Sequence, residues 1–274
     1  MKYKIIASDL DGTLLHDLFS VSEENYRAIE EYSKMGGYLV PASGRAFYGI
    51  PKELRECKNI KYCISSNGAV ITDTPTGERD EVLISNELYK KLMKLTNEYE
   101  TFHTIHYNGG YFMLKEHDDE ERAAYYNVNK YYYVHYHRCC EKIDTWDSAV
   151  ADGHGVEMVS VFFRSQKALD ECVEKLNALG GLIVTSSANF NIEIIAVGAS
   201  KGDGVRRLAN KLGISIYDTI GVGDSRNDMA LLDGVGLPLA VSNAADILKE
   251  KAEKIICSHT EHIVRYILDN IIKQ

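Results

Sequence analysis

The apolar positions of this chain fall into short runs that stop abruptly at small polar residues. Tyr3–Ser8 is apolar on both faces, which predicts a central parallel strand, and it ends at Asp9. Ser20 or Ser22 then caps a helix carrying Tyr26, Ile29, Tyr32 and Met35 near helical spacing, and Gly36-Gly37 stops it. Tyr38–Ala42 is expected as the second strand, ending in Ser43-Gly44-Arg45. Pro41 is an awkward member, because proline removes a ladder donor. Phe47–Cys57 reads as helix with Pro51 in its first turns, and Lys61–Ser65 as a third strand ending in Ser66-Asn67-Gly68. In a parallel sheet, three strands ending in small polar residues converge on one rim, where ligands bind.

The texture changes near residue 84. Ser85 caps a helix with Leu88, Leu92, Leu95 and Tyr99 on one face. Phe102–Tyr107 and Tyr111–Lys115 flank Asn108-Gly109-Gly110, a strong hairpin signal. Tyr131–His137, Val156–Phe163, Leu182–Thr185 and Asn191–Ile195 read as strands, with a helix through Leu169, Cys172, Val173, Leu176 and Leu179 between two of them. The βα rhythm then returns. A helix is expected over Lys201–Leu212 and a strand over Thr219–Val222, which ends in Gly223-Asp224-Ser225-Arg226-Asn227-Asp228. Further elements are a helix from Met229, a strand over Leu237–Val241, a helix from Ala244, a strand over Lys254–Cys257 and a helix from about Glu261 to Ile272. The predicted fold is α/β: a doubly wound, mostly parallel core sheet from residues 1–83 and 191–274, with residues 84–190 inserted as an α+β domain.

Composition narrows the function classes. With 274 residues, 45% hydrophobic and 26% charged, the chain has ordinary globular proportions and room for one large or two medium domains. A net charge of −9 without a long basic run disfavours a nucleic-acid partner. No apolar run reaches membrane-spanning length, and no signal-peptide pattern opens the chain. Six cysteines without CxxC spacing read as reduced thiols, so a cytoplasmic location is expected. No protein partner is evident.

Four chemistry-bearing groups now stand at strand or helix ends: Asp9/Asp11, Ser43, Lys201 and Asp224/Asp228. Singly, each has an ordinary explanation. Asp-x-Asp-Gly is also a turn, a serine after a strand is usually a turn residue, and a lysine opening a helix usually faces solvent. Aspartates near a helix start also suit the macrodipole. Together, their order and spacing resemble the haloacid dehalogenase-like phosphohydrolases over the whole chain. The four motifs of that superfamily are D-x-D-G-T, a Ser or Thr, a Lys, and G-D-x-x-N-D. The Asn67-Gly68 turn and Asn243-Ala244 resemble its Cof-type branch. Pro41, and Ser242 where that branch usually has glycine, depart from the pattern, as does a C-terminal segment lacking the usual glycine.

The resemblance implies a Rossmann-like core and a Mg²⁺-dependent phosphatase of small phosphorylated metabolites such as sugar phosphates. Asp9 and Asp224 would supply carboxylate oxygens to Mg²⁺ and Asp11 a backbone carbonyl, with Asp228 in the same shell or just behind it. Asp9 would attack phosphorus to give an aspartyl-phosphate, and Asp11 would protonate the leaving oxygen and later deprotonate water. Ser43 and Lys201 would stabilise the equatorial oxygens, Gly12 and Gly44 would let backbone N–H groups approach the phosphate, and Asn227 would contact the phosphate or orient Lys201. Asn67 and Arg45 are rim candidates. The insertion lies between the second and third motifs, where Cof-type phosphatases carry the larger cap that reads the leaving group. A phosphomannomutase-like phosphotransferase shares motifs and cap position, and a non-enzymatic metabolite binder on the same scaffold is the alternative of another class.

The stretch Tyr131–Cys140 remains outside this scheme. On a strand, His135, His137 and Cys139 would share one face, which suggests zinc, or a face of Tyr133 and His135 lining the cap side of the pocket. Asn191 and Glu193 are candidates for the pocket or for ordinary hinge positions.

Overall fold

The run Ile5–Ser8 is an interior strand of a five-stranded parallel sheet. It pairs with Tyr38–Pro41 on one side and Thr219–Gly223 on the other, beyond which lie Leu237–Val241 and Lys254–Ile256. Its residues are fully buried, which is why the apolar run shows no alternation. The computed structural model describes residues 1–17, 19–150 and 152–274. The chain divides into two compact units, the first made of Met1–Arg45, Ile50–Asp80 and Ser200–Gln274, the second of Ala46–Gly49 and Glu81–Ala199.

In the first unit the helix Glu23–Lys34 is capped by Ser22, whose side chain accepts from Asn25 N, and it packs against Ile263–Ile267 near the C-terminus. Lys201–Leu212 packs against Met229–Asp233. That approach is close because Gly202 faces the second helix: a Cβ there would lie 2.0 Å from the Ala230 carbonyl oxygen. Pro41 is accommodated because its strand is the edge of the five-stranded sheet, where a missing donor breaks no ladder.

Three features outside the six-stranded sheet differ from the sequence expectation. Tyr62–Ser65 meets the main sheet through a single parallel bridge, Ala42 to Ile64, and belongs to a separate three-stranded sheet with Val70–Asp73 and Arg79–Glu81. These last two strands are too short to show periodicity. The expected Phe47–Cys57 helix is a single tight turn at Phe47–Gly49 followed by Lys52–Arg55, because Pro51 interrupts it. The C-terminal helix starts at Ile263 and widens into a π-type turn over Leu268–Ile272.

The second unit is a six-stranded sheet in the order Leu182–Thr185, Asn191–Ala196, Met158–Phe163, Thr101–Tyr107, Gly110–Leu114, Cys140–Ile143, antiparallel except for the last pair. Asn108 (φ 48°) and Gly109 (φ 79°) make the tight hairpin turn that the Asn-Gly pair demands. Helices Asn86–Thr96 and Gln166–Leu179 pack against each other.

Two expectations fail here. The sequence pattern places residues 191–196 in the core and ends the insertion at 190. Instead Asn191–Ala196 pairs on both sides within the six-stranded sheet, and the second unit runs to Ala199. The expected strand Tyr131–His137 is a helix, Lys130–Cys139, capped by the Asn129 side chain accepting from Tyr132 N. Tyr132 and Tyr136, one turn apart, pack their rings on Phe162, and this tertiary contact outweighs the β preference of the aromatic run. On a helix His135 and Cys139 share a face while His137 turns to Asp118 Oδ1 at 2.7 Å, so the zinc trio does not assemble.

Candidate active site

The first strand ends in a tight reversal. Leu14 N donates to Asp9 O at 3.2 Å and Leu15 N to Leu10 O at 2.9 Å, so Leu10–Leu14 closes a wide turn. Gly12 sits in it at φ 78°, and a Cβ there would come within 2.6 Å of Asp224 Oδ2. Glycine is required at this point on both counts. Asn243 Nδ2 donates to Gly12 O at 2.8 Å, fixing the turn from the loop after Leu237–Val241.

Strands Ile5–Ser8 and Thr219–Gly223 are neighbours, so Asp9 and Asp224 project from adjacent C-terminal ends. The chain leaves in opposite directions on the two sides of this point, which makes it the crevice of the sheet. Carboxylate oxygens of Asp9, Asp224 and Asp228 lie within 4.8 Å of one another, and among the described residues this is the trio close enough to share a cation. Thr13 Oγ1 donates to Asp224 Oδ1 at 3.3 Å.

Lys201 enters from the first turn of its helix, which a reciprocal Ser200–Asp203 capping box starts. Its side chain is 0% exposed, and Nζ donates to Asp9 Oδ1 at 2.7 Å and Asp228 Oδ1 at 2.6 Å. Asp228 is fully engaged: its Oδ2 accepts from Asp224 N at 3.0 Å and Ser225 N at 3.1 Å. It therefore orients both Lys201 and the Asp224 backbone. Asn227 does not orient Lys201; its Oδ1 accepts from Ser225 Oγ at 2.7 Å.

Ser43 is buried, and its Oγ accepts from Arg45 N at 3.1 Å. Ser66, Asn67 and Gly68 all have positive φ, and this loop is tied to the motif by Asn67 N to Ser43 O at 3.0 Å and Ser66 N to Arg45 O at 2.8 Å. A Cβ on Gly44 would lie 3.1 Å from Asn67 Oδ1, so the small residue lets the two loops close up. The Asp11 carboxylate is held in a fork by Arg45, Nε to Oδ2 at 2.9 Å and Nη2 to Oδ1 at 2.6 Å. Arg45, expected only at the rim, is thus an inner member. Thr13, the last residue of the D-x-D-G-T motif, braces Asp224 through its hydroxyl. Asn243 carried only a family resemblance.

The electrostatics follow from burial. Desolvation raises Asp9 well above the ordinary carboxylate value, with repulsion from Asp228 adding and Lys201 opposing. Asp224 is raised to about 7, again by burial first and Asp228 second. Burial works against charge on Lys201, but Asp228 and Asp9 together outweigh it and hold its pKa above the usual lysine value. Four carboxylates (Asp9, Asp11, Asp224, Asp228) here face two cations (Lys201, Arg45). The deficit of two positive charges, on hard oxygen donors, suits a divalent cation.

A parallel α/β core carrying a lysine-bridged carboxylate cluster at its switch point, with a second α+β unit, defines a class of two-unit hydrolases. A family profile described as haloacid dehalogenase-like hydrolase matches residues 6–268. The chain belongs to that family. It is 30% identical over 258 residues to the 5-amino-6-(5-phospho-D-ribitylamino)uracil phosphatase YcsE of Bacillus subtilis, covering 94% of this chain and 91% of that one. It is 28% identical to phosphatase YwpJ of the same organism, covering 98% and 100%. Among solved structures, a haloacid dehalogenase-like hydrolase from B. subtilis superposes with a TM-score of 0.82 at 27% identity, covering 98% and 99%. No helix among the described residues is long and apolar enough to cross a membrane.

Proposed function

We propose that the chain is a Mg²⁺-dependent phosphatase that hydrolyses monoesters of small phosphorylated metabolites through an aspartyl-phosphate on Asp9. The observation that carries this reading is Lys201, buried and bonded to both Asp9 and Asp228, beside Asp224 on the neighbouring strand. Mg²⁺, held by Asp9, Asp224 and the Asp11 carbonyl, would neutralise part of the phosphate charge that a carboxylate nucleophile otherwise repels.

Lys201 bonds Asp9 Oδ1 and leaves Oδ2 for attack. As the Asp9–phosphorus bond forms, the bond to the ester oxygen breaks. That oxygen keeps the electron pair and takes a proton from Asp11. Water then attacks the aspartyl-phosphate, Asp11 accepts the proton of that water, and free phosphate leaves with Asp9 regenerated. The Ser43 hydroxyl, oriented by Arg45 N, and the backbone at Gly12 and Gly44 stabilise the phosphoryl oxygens. Asn227, on the same loop as Asp224, contacts the phosphate. Asp228 positions Lys201 and Asp224 through three hydrogen bonds and lies in the metal's shell or just behind it.

The second unit, inserted between the Ser43 and Lys201 segments, is assigned the choice of leaving group. The support is its place in the chain and the names of the relatives, one of which acts on a ribityl phosphate. Six free cysteines accord with a reducing compartment. The test is phosphate release from a panel of phosphorylated metabolites that includes 5-amino-6-(5-phospho-D-ribitylamino)uracil and sugar phosphates, with Mg²⁺ and with EDTA. Activity that survives EDTA or Asp9→Asn refutes the mechanism, and an isomerised product without free phosphate makes the chain a phosphotransferase.

A further inference from the structure

We infer that the cleft between the start of helix Lys130–Cys139 and the loop at residues 186–190 binds a neutral polyhydroxylated ligand the size of a monosaccharide. Its lining lies wholly within the second unit and contains none of the motif residues, so the inference does not depend on the mechanism proposed above.

The cleft has a volume of about 470 Å³, inside the range of roughly 300–1,000 Å³ usual for small-molecule sites. Its two walls are held by one strand end. On one wall Asn127 sits at φ 62°, and its Nδ2 donates to Phe163 O at 2.7 Å and to Arg164 O at 3.1 Å. On the other wall Phe190 sits at φ 58°, and its carbonyl accepts from Phe163 N at 2.8 Å. A positive φ is rare for a bulky aromatic residue and costs conformational energy. Both left-handed residues therefore stand beside the same cleft, clamped on the backbone of Phe163. A cleft fixed in advance loses little entropy when a ligand enters.

The lining groups set the chemistry of that ligand. The N–H groups of Asn127 are committed to the backbone, which leaves its Oδ1 as an acceptor. Asn129 Oδ1 accepts from Tyr132 N at 3.0 Å, which caps the helix and leaves the Asn129 NH2 as a donor. The Asn189 side chain has no partner among the described residues, so its amide offers both. A hydroxyl donates and accepts at once, so neighbouring hydroxyls match this mixed set, whereas an ionised phosphate only accepts. Lys130 and Glu120, 3.6 Å apart, bring one charge of each sign, and the cleft has no net charge with which to hold an ion. Tyr133 and Phe190 supply aromatic surface for the apolar C–H face of a sugar ring.

The test is isothermal titration calorimetry on the full chain with D-glucose, D-ribose and ribitol, and with inorganic phosphate as the charged control. At least one of the three polyols is expected to bind with a dissociation constant of about 1 mM or tighter. Asn129→Asp keeps the capping oxygen and removes the donor, and Asn189→Ala removes an exposed amide. Each should weaken polyol binding by about three- to tenfold. The Tm of Asn189→Ala should stay within about 2 °C of wild type, which separates a lost contact from a lost fold. Lys94→Ala, in the groove beside Leu95 and Leu179, should leave binding unchanged. No polyol bound below about 20 mM, or an affinity that both cleft variants leave intact, would overturn the inference. So would phosphate binding that Asn189→Ala weakens, which would make the cleft an anion site. Binding is read as heat, so none of these outcomes turns on whether the chain proves to be a phosphatase.

Discussion

Replacing Lys201 by methionine keeps the length of the side chain and removes its charge from a site with no solvent access. Two ionic hydrogen bonds, at 2.7 and 2.6 Å, are lost together. At an effective dielectric of about 20, charges about 3 Å apart attract by roughly 5–6 kcal/mol per pair. Relief from desolvating the ammonium offsets much of this, and breaking a buried pair by removing one member costs about 3–5 kcal/mol. In a chain of this size that corresponds to a fall of about 10 °C in Tm. The sign of the pH dependence follows from Asp9, whose folded-state pKa is already raised. A carboxylate raised on folding contributes stability below its unfolded value, near 4, and loses it as pH climbs through the folded value. Without Lys201 the Asp9 value rises further, so the deficit of the variant should be small at pH 5 and widen towards pH 8. The wild-type lysine, raised above its ordinary value, stays charged across this window and adds no slope. Urea unfolding of metal-free wild type and Lys201→Met at pH 5 and 8 measures both quantities. A deficit below about 1 kcal/mol at pH 8, or one equal at the two pH values, would refute the ion-pair account.

Gly12→Ala places a methyl against Asp224 in a left-handed turn, and phosphate release should fall by about a hundredfold, as displacement by an ångström does elsewhere; a rate within about threefold of wild type would show that the turn yields. Because Asp224 titrates at about 7 and Asp9 is also raised, both must lose protons to ligate a cation. Without metal, the raised Asp224 should make stability fall between about pH 4 and 7, by at most about 4 kcal/mol. Saturating Mg²⁺ should therefore raise Tm more at pH 8 than at pH 5.5, and a shift independent of pH counts against these ligands. Asn243→Ala removes an exposed hydrogen bond to Gly12 O, so Tm should change little while kcat drops by about tenfold; an unchanged kcat would show that the turn holds without it.

Much of the core is legible because its interior strands Ile5–Ser8 and Thr219–Gly223 are buried on both faces and end at serine and glycine, each followed by aspartate. Asp9 and Asp224 could be placed on one rim from their positions at strand ends, and the neighbouring strands bring them together. The pairing of Arg45 with Asp11 was not legible, since which carboxylate a cation meets depends on distances that no spacing along the chain encodes. The commitment of Asp228 to three donors was hidden for the same reason. The tyrosine-rich stretch misled because β-prone residues at alternate positions also place Tyr132 and Tyr136 one helical turn apart, and only Phe162 on a distant strand decides between the two. Strand Asn191–Ala196 carries a mixed polar and apolar pattern that fits either unit, so the boundary needed its partners on both sides.

The parallel pairing of Ile5–Ser8 with Thr219–Gly223 spans more than 200 residues, and its consequence falls on the nascent chain. At about 5–20 residues per second, the first strand waits roughly 10–40 s on the ribosome before its partner is synthesised. Meanwhile the stretch from Glu81 to Ala199, with a sheet of its own, has all its strands available. The inserted sheet can therefore close before the parallel core sheet does, and Asp9 gains Lys201 only after 192 more residues have been added.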